Sequence, residues 1–494
     1  MTKQIPPEMK ERYKEAKELI ENSENIKIYS HTDCDGISSG AILTSILKKI
    51  GKTDFDIEIV NLDVLEDVPI DHELTIFSDL GSGQPVDKNA SKDSKILILD
   101  HHPPLRDIDY CKTVDYEYLE INPIFYGIDG SQEICGGGLC YLLAKEFGFT
   151  DLSWIGILAA IGDIQNGKTG KLEGLNRTIL KDAKEEGLVN VIENDLSLYG
   201  RQSRPLFVAL SYFSDVKLDI TNDQNRALDL LKRLGINTRN PVNDTSIRAC
   251  DLNQKDKFKL IKELIGMITR VIPSKYAIHA PKLVMGESYE FENEEKYTFL
   301  RDASEFSTAM NACVRNNRAE VALKLLELTI MRNEILNEDN VSIDIESDRA
   351  LVLDELDEIS RAHRYYLRVN IEKAGNSIVQ KDNIQYFDGE GIRSNVVGTI
   401  AGMALSQGDW RKPIIAFTQV SDENDDLKIS LRCSKLLAYD GVHFGSIIRE
   451  VAQSLGGNGG GHDVACGAYI PKEKRDEFLN LMNEKLEGRL AIDN

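Results

Sequence analysis

Four apolar residues, Ile96 to Leu99, run directly into Asp100, His101, His102, Pro103 and Pro104. A short apolar run closed by turn residues predicts a buried parallel strand, and the prolines stop it. The pattern recurs upstream in "NIKIYSH" (25–31), "DFDIEIVNL" (54–62) and "ELTIFSDLGSG" (73–83). Between the first two lies "TDCDGISSGAILTSILKKIG", where Ile37, Ala41, Ile42, Ile46 and Leu47 recur at helical spacing. The segments "ICGGGLCYLLAKEFG" and "SWIGILAAIGDIQ" predict apolar helices. Strands alternating with helices over about 160 residues predict an α/β fold with a doubly wound, mostly parallel sheet.

Beyond residue 200 the pattern turns helical, without strand signals to about residue 270, and a long charged helix is expected from Asp344 to Lys373. Strand signals return at "KPIIAFTQV" (412–420) and "LKISLRCS" (427–434), followed by helical "GVHFGSIIREVAQSLG" and a glycine cluster. This predicts four parts: an α/β domain over 1–200, a helical linker and insertion over 201–345, the long helix over 346–376 and a smaller α/β domain over 377–494.

Composition narrows the function classes. With 494 residues, 41% apolar and 28% charged, the chain is long enough for two or three globular cores. No apolar run approaches the roughly 18 residues of a membrane span, and the polar N-terminal stretch reads as a helix rather than a signal peptide. Eight cysteines without a C-x-x-C pair fit reduced thiols, so a cytoplasmic protein with no membrane partner is expected. The net charge of −22 excludes a wholesale electrostatic grip on nucleic acid, so any polyanion must bind in a local groove. Residues 334–358 carry 10 acidic side chains against one Arg, either a solvated face with an acidic turn or a docking surface for a basic partner.

The chemistry gathers at strand ends. The first strand ends in His31, Asp33 and Asp35, another in Asp79, and a third in Asp100, His101 and His102, while "ILAAIGDIQ" delivers Asp163 after a charge-free run. In a parallel sheet these ends share one edge, where ligands collect. Carboxylates crowded there repel one another unless cations neutralise them. Two divalent ions balance four carboxylates, and mixed carboxylate and imidazole ligation favours Mn²⁺ over Mg²⁺. Such pairs hydrolyse phosphate esters. A lone "SDLG" reads equally as an Asx turn and Asp163 alone as a helix cap; their joint occurrence favours a metal site. A calcium-loop reading of "DCDG" fails, because His31 falls at position one and Ile42 where Glu is required. Further on, five glycines in "SLGGNGGGHDVACGA" (454–468) stand beside His462 and suit a phosphate, with Arg432 either a phosphate fork or a surface ion pair.

These residues resemble a known family. "HTDCDG", "SDLG", "DHH" and the Asp of "AAIGD" are similar to the four motifs of the DHH phosphoesterase superfamily, and "GGNGGGHDVACGA" to the glycine-rich motif of its companion DHHA1 domain. Residues 297–323 resemble a segment typical of archaeal RecJ-like single-strand-specific exonucleases, with Asp302, Glu305, Phe306, Asn311, Cys313 and Arg315 matching and Val314 in place of Gly. Leu431 likewise replaces a residue that is commonly small, and "NPIFYGIDGS" resembles the family's N-P-x-x-x-x-x-D-G-S stretch.

The resemblance implies that His31 and Asp33 bind one Mn²⁺, that Asp35, His101 and Asp163 bind the other, and that Asp79 bridges them. It implies that Asp100 orients His101, that His102 faces the scissile phosphate, and that Arg432, Gly459, Gly460, Gly461 and His462 hold the terminal nucleotide in a cleft between domains. The implied activity is exonucleolytic hydrolysis of single-stranded DNA, or RNA, to mononucleotides in replication or repair. The GINS complex or a repair helicase are the implied protein partners. Two alternatives remain: a small-substrate DHH phosphodiesterase or oligoribonuclease, whose relatives are shorter and lack residues 297–323, and a replisome scaffold, which expects eroded metal ligands.

Overall fold

The structure, a computed structural model, describes residues 3–62, 64–240, 244–336, 343–421, 424–461 and 463–490. The chain divides into two compact units, one of residues 1–194 with 287–361 and the other of 195–286 with 362–494. Residues 201–345 therefore do not lie together, since the part from 287 onward returns to the first unit.

The first unit opens with α1 (Pro7–Glu21), β1 (Ile26–His31), α2 (Cys34–Lys49), β2 (Phe55–Val60), β3 (Leu74–Ser78), β4 (Lys95–Leu99) and β5 (Glu117–Ile121). The five strands form a wholly parallel sheet in the order β2-β1-β3-β4-β5. Strands β1, β3 and β4 are buried on both faces, as their unbroken apolar runs require, whereas β2 at the edge alternates between half-buried and exposed. Helices α2, α3 (Gly136–Glu146), α4 (Ser153–Gly162) and α5 (Asn176–Glu185) complete the early order. Helix α2 packs on α3 and α4 with residues 34–47 all buried, so its apolar character is not confined to one stripe. The opposite sheet face, with Tyr29, Phe77, Ile96 and Ile98, is covered by Leu65, Val68, Leu80 and Val86 from turns and a single 3-10 turn.

Next comes β6 (Val189–Leu196), which pairs with the later β7 (Met285–Phe291). Between them α6 (Leu206–Ser211), α7 (Gln224–Arg233), α8 (Gln254–Val271) and α9 (Ala280–Val284) enclose a core that includes Leu210, Leu231, Leu264 and Ile268. After β7 come α10 (Ala303–Arg315), α11 (Ala319–Leu336) and α12 (Ile343–Asn376). Helix α10 joins the first unit's core through an aromatic cluster in which Phe306 lies 6.0 Å from Phe291 and 6.5 Å from Trp154. Full burial of one such ring contributes roughly 1.5–3 kcal/mol. Val314, where a glycine was expected, lies on this helix and packs against the core, so no loop has to accommodate it.

The chain ends with β8 (Val379–Gln380), β9 (Gln385–Asp388), α13 (Val397–Ala404), β10 (Ile414–Ser421), β11 (Asn424–Arg432), α14 (Lys435–Tyr439), α15 (Phe444–Ser454), β12 (Asn458–Gly461), β13 (Ala465–Pro471) and α16 (Arg475–Lys485). These strands make a six-stranded mixed sheet, β12-β13-β11-β10-β9-β8. Leu431 is fully buried in its core with Phe444 and Ile448. No described helix is long and apolar enough to cross a membrane.

Candidate metal centre

The sheet order places a topological switch point between β1 and β3, because the chain leaves β1 toward β2 and returns on its other side. Ligands bind outside the carboxyl ends of strands at such a point. Register keeps those ends level, with Ser30 opposite Ser78 and Ser78 opposite Leu99. The following residues are His31, Asp79 and Asp100.

Each side chain is held by a local device. Asp33 caps α2, accepting from Gly36 N–H at 2.9 Å. Asp35, in the first turn of α2, accepts from two amides at the start of α3, Gly136 N–H at 2.9 Å and Gly137 N–H at 2.6 Å. That close approach needs glycine, because a Cβ on Gly136 would fall 2.6 Å from Asp79 Cβ. Asp79 has φ +60°, a region Asp tolerates, while its N–H still bonds Leu99 O at 2.8 Å. The left-handed turn puts its carboxylate across the strand ends. Asp163 is the residue at which α4 ends.

Three donor groups result. In one, His31, Asp33 and Asp79 bring a ligand atom each within 4.8 Å of one another, in the second Asp35, His101 and Asp163 do the same, and a third, Asp79, Asp100, His101 and His102, overlaps both. Asp79 joins them: its Oδ2 lies 3.4 Å from His31 Nδ1 and its Oδ1 3.2 Å from His101 Nε2. Both Asp79 oxygens and His31 Nδ1 are buried without a hydrogen bond. Buried polar atoms left without a well-formed hydrogen bond are rare and call for an ion, a water or a charged neighbour. The donor set, carboxylate oxygen with imidazole nitrogen, fits a first-row divalent cation.

The electrostatics agree. Burial opposes a charge on His31, but Asp33 and Asp79 outweigh it and hold its pKa well above the imidazole range. Burial is likewise outweighed at His101, by Asp163 and Asp79. Asp79 is buried too, yet the two imidazoles keep it ionised far below the usual carboxylate range, whereas burial and then Asp79 push Asp35 well above it. The cluster thus retains protons that a cation would replace.

Asp100 corrects one expectation. It does not orient the His101 ring. Its Oδ1 accepts from the main-chain N–H of His101 at 2.7 Å and lies 2.8 Å from His102 Nδ1, so the ring it orients is that of His102. The His101 ring instead lies 2.7 Å from Gly130 O through Nδ1. The other Asp100 oxygen, Oδ2, accepts from Ser82 N–H at 2.9 Å, so both oxygens are engaged and the partner for the His101 ring comes from another loop. The His102 side chain is 43% exposed, and Asp100 raises its pKa against burial and the His101 charge.

Among the other expected residues, Arg432 ends β11 and donates to Leu431 O at 2.8 Å and Cys466 O at 3.3 Å. Gly459, Gly460 and Gly461 form no flexible loop but most of β12, the edge strand. They are glycines for close packing: a Cβ on Gly459 would fall 2.9 Å from Ala468 Cβ and one on Gly461 2.7 Å from Ala465 O. Arg432 pairs with Ala465 and Gly461 with Cys466, so both flank β13 at one end of this sheet. His462 lies outside the described residues, as do 337–342 of the acidic segment. The apolar-helix pattern does not reveal this role of Gly136 and Gly137; three consecutive glycines before a helical run are the available signal.

A parallel sheet with a carboxylate–imidazole group at its switch point has the architecture of an α/β phosphoesterase. Three family models match the chain: DHH family, N-terminal domain, at 25–160; the DHH-CID domain at 198–279; and the DHHA1 domain at 381–488. The Methanocaldococcus jannaschii protein MJ0831 is 30% identical over 476 residues, 94% of each chain. The protein belongs to the DHH/DHHA1 family and has a RecJ-like fold. Among solved structures, it is similar to CDC45 from Entamoeba histolytica (14% identity, 97% of this chain and 99% of that one, TM-score 0.57). It is also similar to RecJ in complex with Mn²⁺ from Thermus thermophilus (16% identity, 98% of this chain, TM-score 0.55), of which it spans 55%.

Proposed function

We propose that this protein is a metal-dependent phosphodiesterase that trims single-stranded DNA, or RNA, to mononucleotides in replication or repair, with Mn²⁺ as the preferred ion. The reading rests chiefly on one observation: Asp79, 1% exposed, offers two oxygens without a hydrogen bond between two donor groups. In this reading His31 and Asp33 hold one ion, Asp35, His101 and Asp163 a second, and Asp79 serves both. Bound there, paired divalent cations supply Lewis acidity and a water of lowered pKa. His102, kept in place by Asp100, presents a half-exposed imidazole to charge developing on a phosphate. Arg432 and the β12 strand in the second unit are the proposed grip on the nucleotide, and a local contact is needed because the net charge of −22 repels a polyanion.

Similarity to CDC45 over nearly all of both chains favours a second reading, a replisome scaffold with the GINS complex or a repair helicase as partner. A scaffold has no use for a buried cluster of carboxylates and imidazoles, whose desolvation costs free energy. The test is incubation with Mn²⁺ of single-stranded DNA and RNA labelled at each end in turn. Release of labelled mononucleotide supports the enzyme and reveals its polarity. Intact strands in every arm, with Mn²⁺ uptake proven, would overturn the nuclease and leave the scaffold.

A further inference from the structure

Two buried side-chain amides stand beside the centre. Gln165 is 1% exposed and Asn176 is fully buried. Gln165 Nε2 donates to Asp163 Oδ2 at 2.9 Å and to Gly130 O at 2.8 Å, and its Oε1 accepts from Asn176 Nδ2 at 2.6 Å. Gly130 O is also the atom that His101 Nδ1 meets at 2.7 Å. A carbonyl oxygen only accepts, so Nδ1 carries the proton and Nε2 is the nitrogen left to face Asp35 and Asp79, 3.6 and 3.2 Å away. One amide therefore braces Asp163 directly and His101 through a shared carbonyl.

The backbone explains how Gln165 gets there. Helix α4 closes with Ile164 N–H bonded to Ile161 O and Gln165 N–H to Ala160 O, at 3.1 and 3.0 Å. This is a Schellman closure, whose reversing residue is usually glycine. Here it is Ile164, at φ +58°. The reversal turns Gln165 back under Asp163, two residues away. The other donor group is held differently: Asp33 is fixed by capping α2, and the Arg315 charge acts on it.

We propose that Gln165, buttressed by Asn176, is a positioning residue for the ion held by Asp35, His101 and Asp163, and that it acts on that ion and not on the one held by His31 and Asp33. This rests on the two-ion reading above. A neutral donor suits the place, because it fixes the direction of a carboxylate without adding a charge, and outer partners of this kind are worth about 10–100-fold in metal affinity. Glutamate there would set an acceptor against Asp163 Oδ2 and Gly130 O, while still accepting from Asn176.

The test is calorimetric titration of the full chain with Mn²⁺, unaltered and as Gln165→Met and Gln165→Glu, with folding checked by thermal melting in chelator. The expected result is two ions for the unaltered protein and, in both variants, about 10–100-fold weaker binding of one ion with the other unchanged. Asn176→Ala, which keeps Gln165 but removes its support, gives a smaller loss at the same ion, and Asp33→Asn strikes the other. Equal weakening of both ions marks a merely structural residue and overturns the proposal, as does unchanged binding in both Gln165 variants. Failure of the unaltered chain to take up two ions is seen before any variant is made and overturns the two-ion reading itself.

Discussion

Asp79→Asn is the sharpest perturbation of this centre. Asparagine keeps the shape and tolerates φ +60° as aspartate does, whereas alanine there would add about 1–2 kcal/mol of backbone strain. The carboxylate is 1% exposed and faces His31 and His101 at 3.4 and 3.2 Å. One unit charge acting on another at about 4 Å with an effective dielectric near 20 is worth about 4 kcal/mol, or roughly a thousandfold in affinity. Since Asp79 is a member of one donor group and lies 3.2 Å from His101 of the other, its neutralisation should weaken Mn²⁺ binding at both by about that factor and abolish metal-dependent cleavage. Metal-free stability should change by only about 1–2 kcal/mol, because the variant no longer buries a charge and each imidazole can shed its proton instead of staying charged and unpaired. Calorimetry with Mn²⁺, cleavage of end-labelled oligonucleotides and melting in chelator measure the three quantities. Two ions bound at nearly the original affinity, or cleavage retained, would refute the shared-ligand assignment.

Three further outcomes are expected. Mn²⁺ uptake should strengthen as pH rises and release protons, because His31 and His101 hold theirs above the usual imidazole range; titration in buffers of different ionisation enthalpy counts them. In the metal-free protein the sign reverses: these raised values contribute stability that is full below about pH 6.5 and is lost as pH climbs through the folded-state pKa. Gly136→Ala should force Asp79 or the start of α3 to shift, at about 1–3 kcal/mol in stability, and weaken Mn²⁺ binding, since the new Cβ would fall 2.6 Å from Asp79 Cβ. Arg432→Ala should weaken single-strand binding by about 1.5–3 kcal/mol with Mn²⁺ uptake unchanged; the reverse order removes Arg432 from the nucleotide site.

Much of this protein is written locally. Apolar runs such as Ile96–Leu99 announce strands buried on both faces, and acidic residues placed just past them already mark a sheet edge able to hold cations. Periodicity of 2 or 3.6 residues and the residue types that end a strand are short-range properties, so they are legible without a fold. What only the tertiary structure decided lies across long stretches of chain. Residues 287–361 return to the first unit because Phe291 and Phe306 find Trp154, more than a hundred positions earlier. The glycines of β12 serve close packing rather than flexibility, which their composition alone does not distinguish. Asp100 directs the ring of His102 while His101 is held by Gly130, and Gln165 with Asn176 forms a support that no motif advertises. A hydrogen bond is satisfied by whichever donor the packed chain brings within reach. Strand ends and residue types therefore foretell which ligands gather, and packing alone selects the partners that aim them.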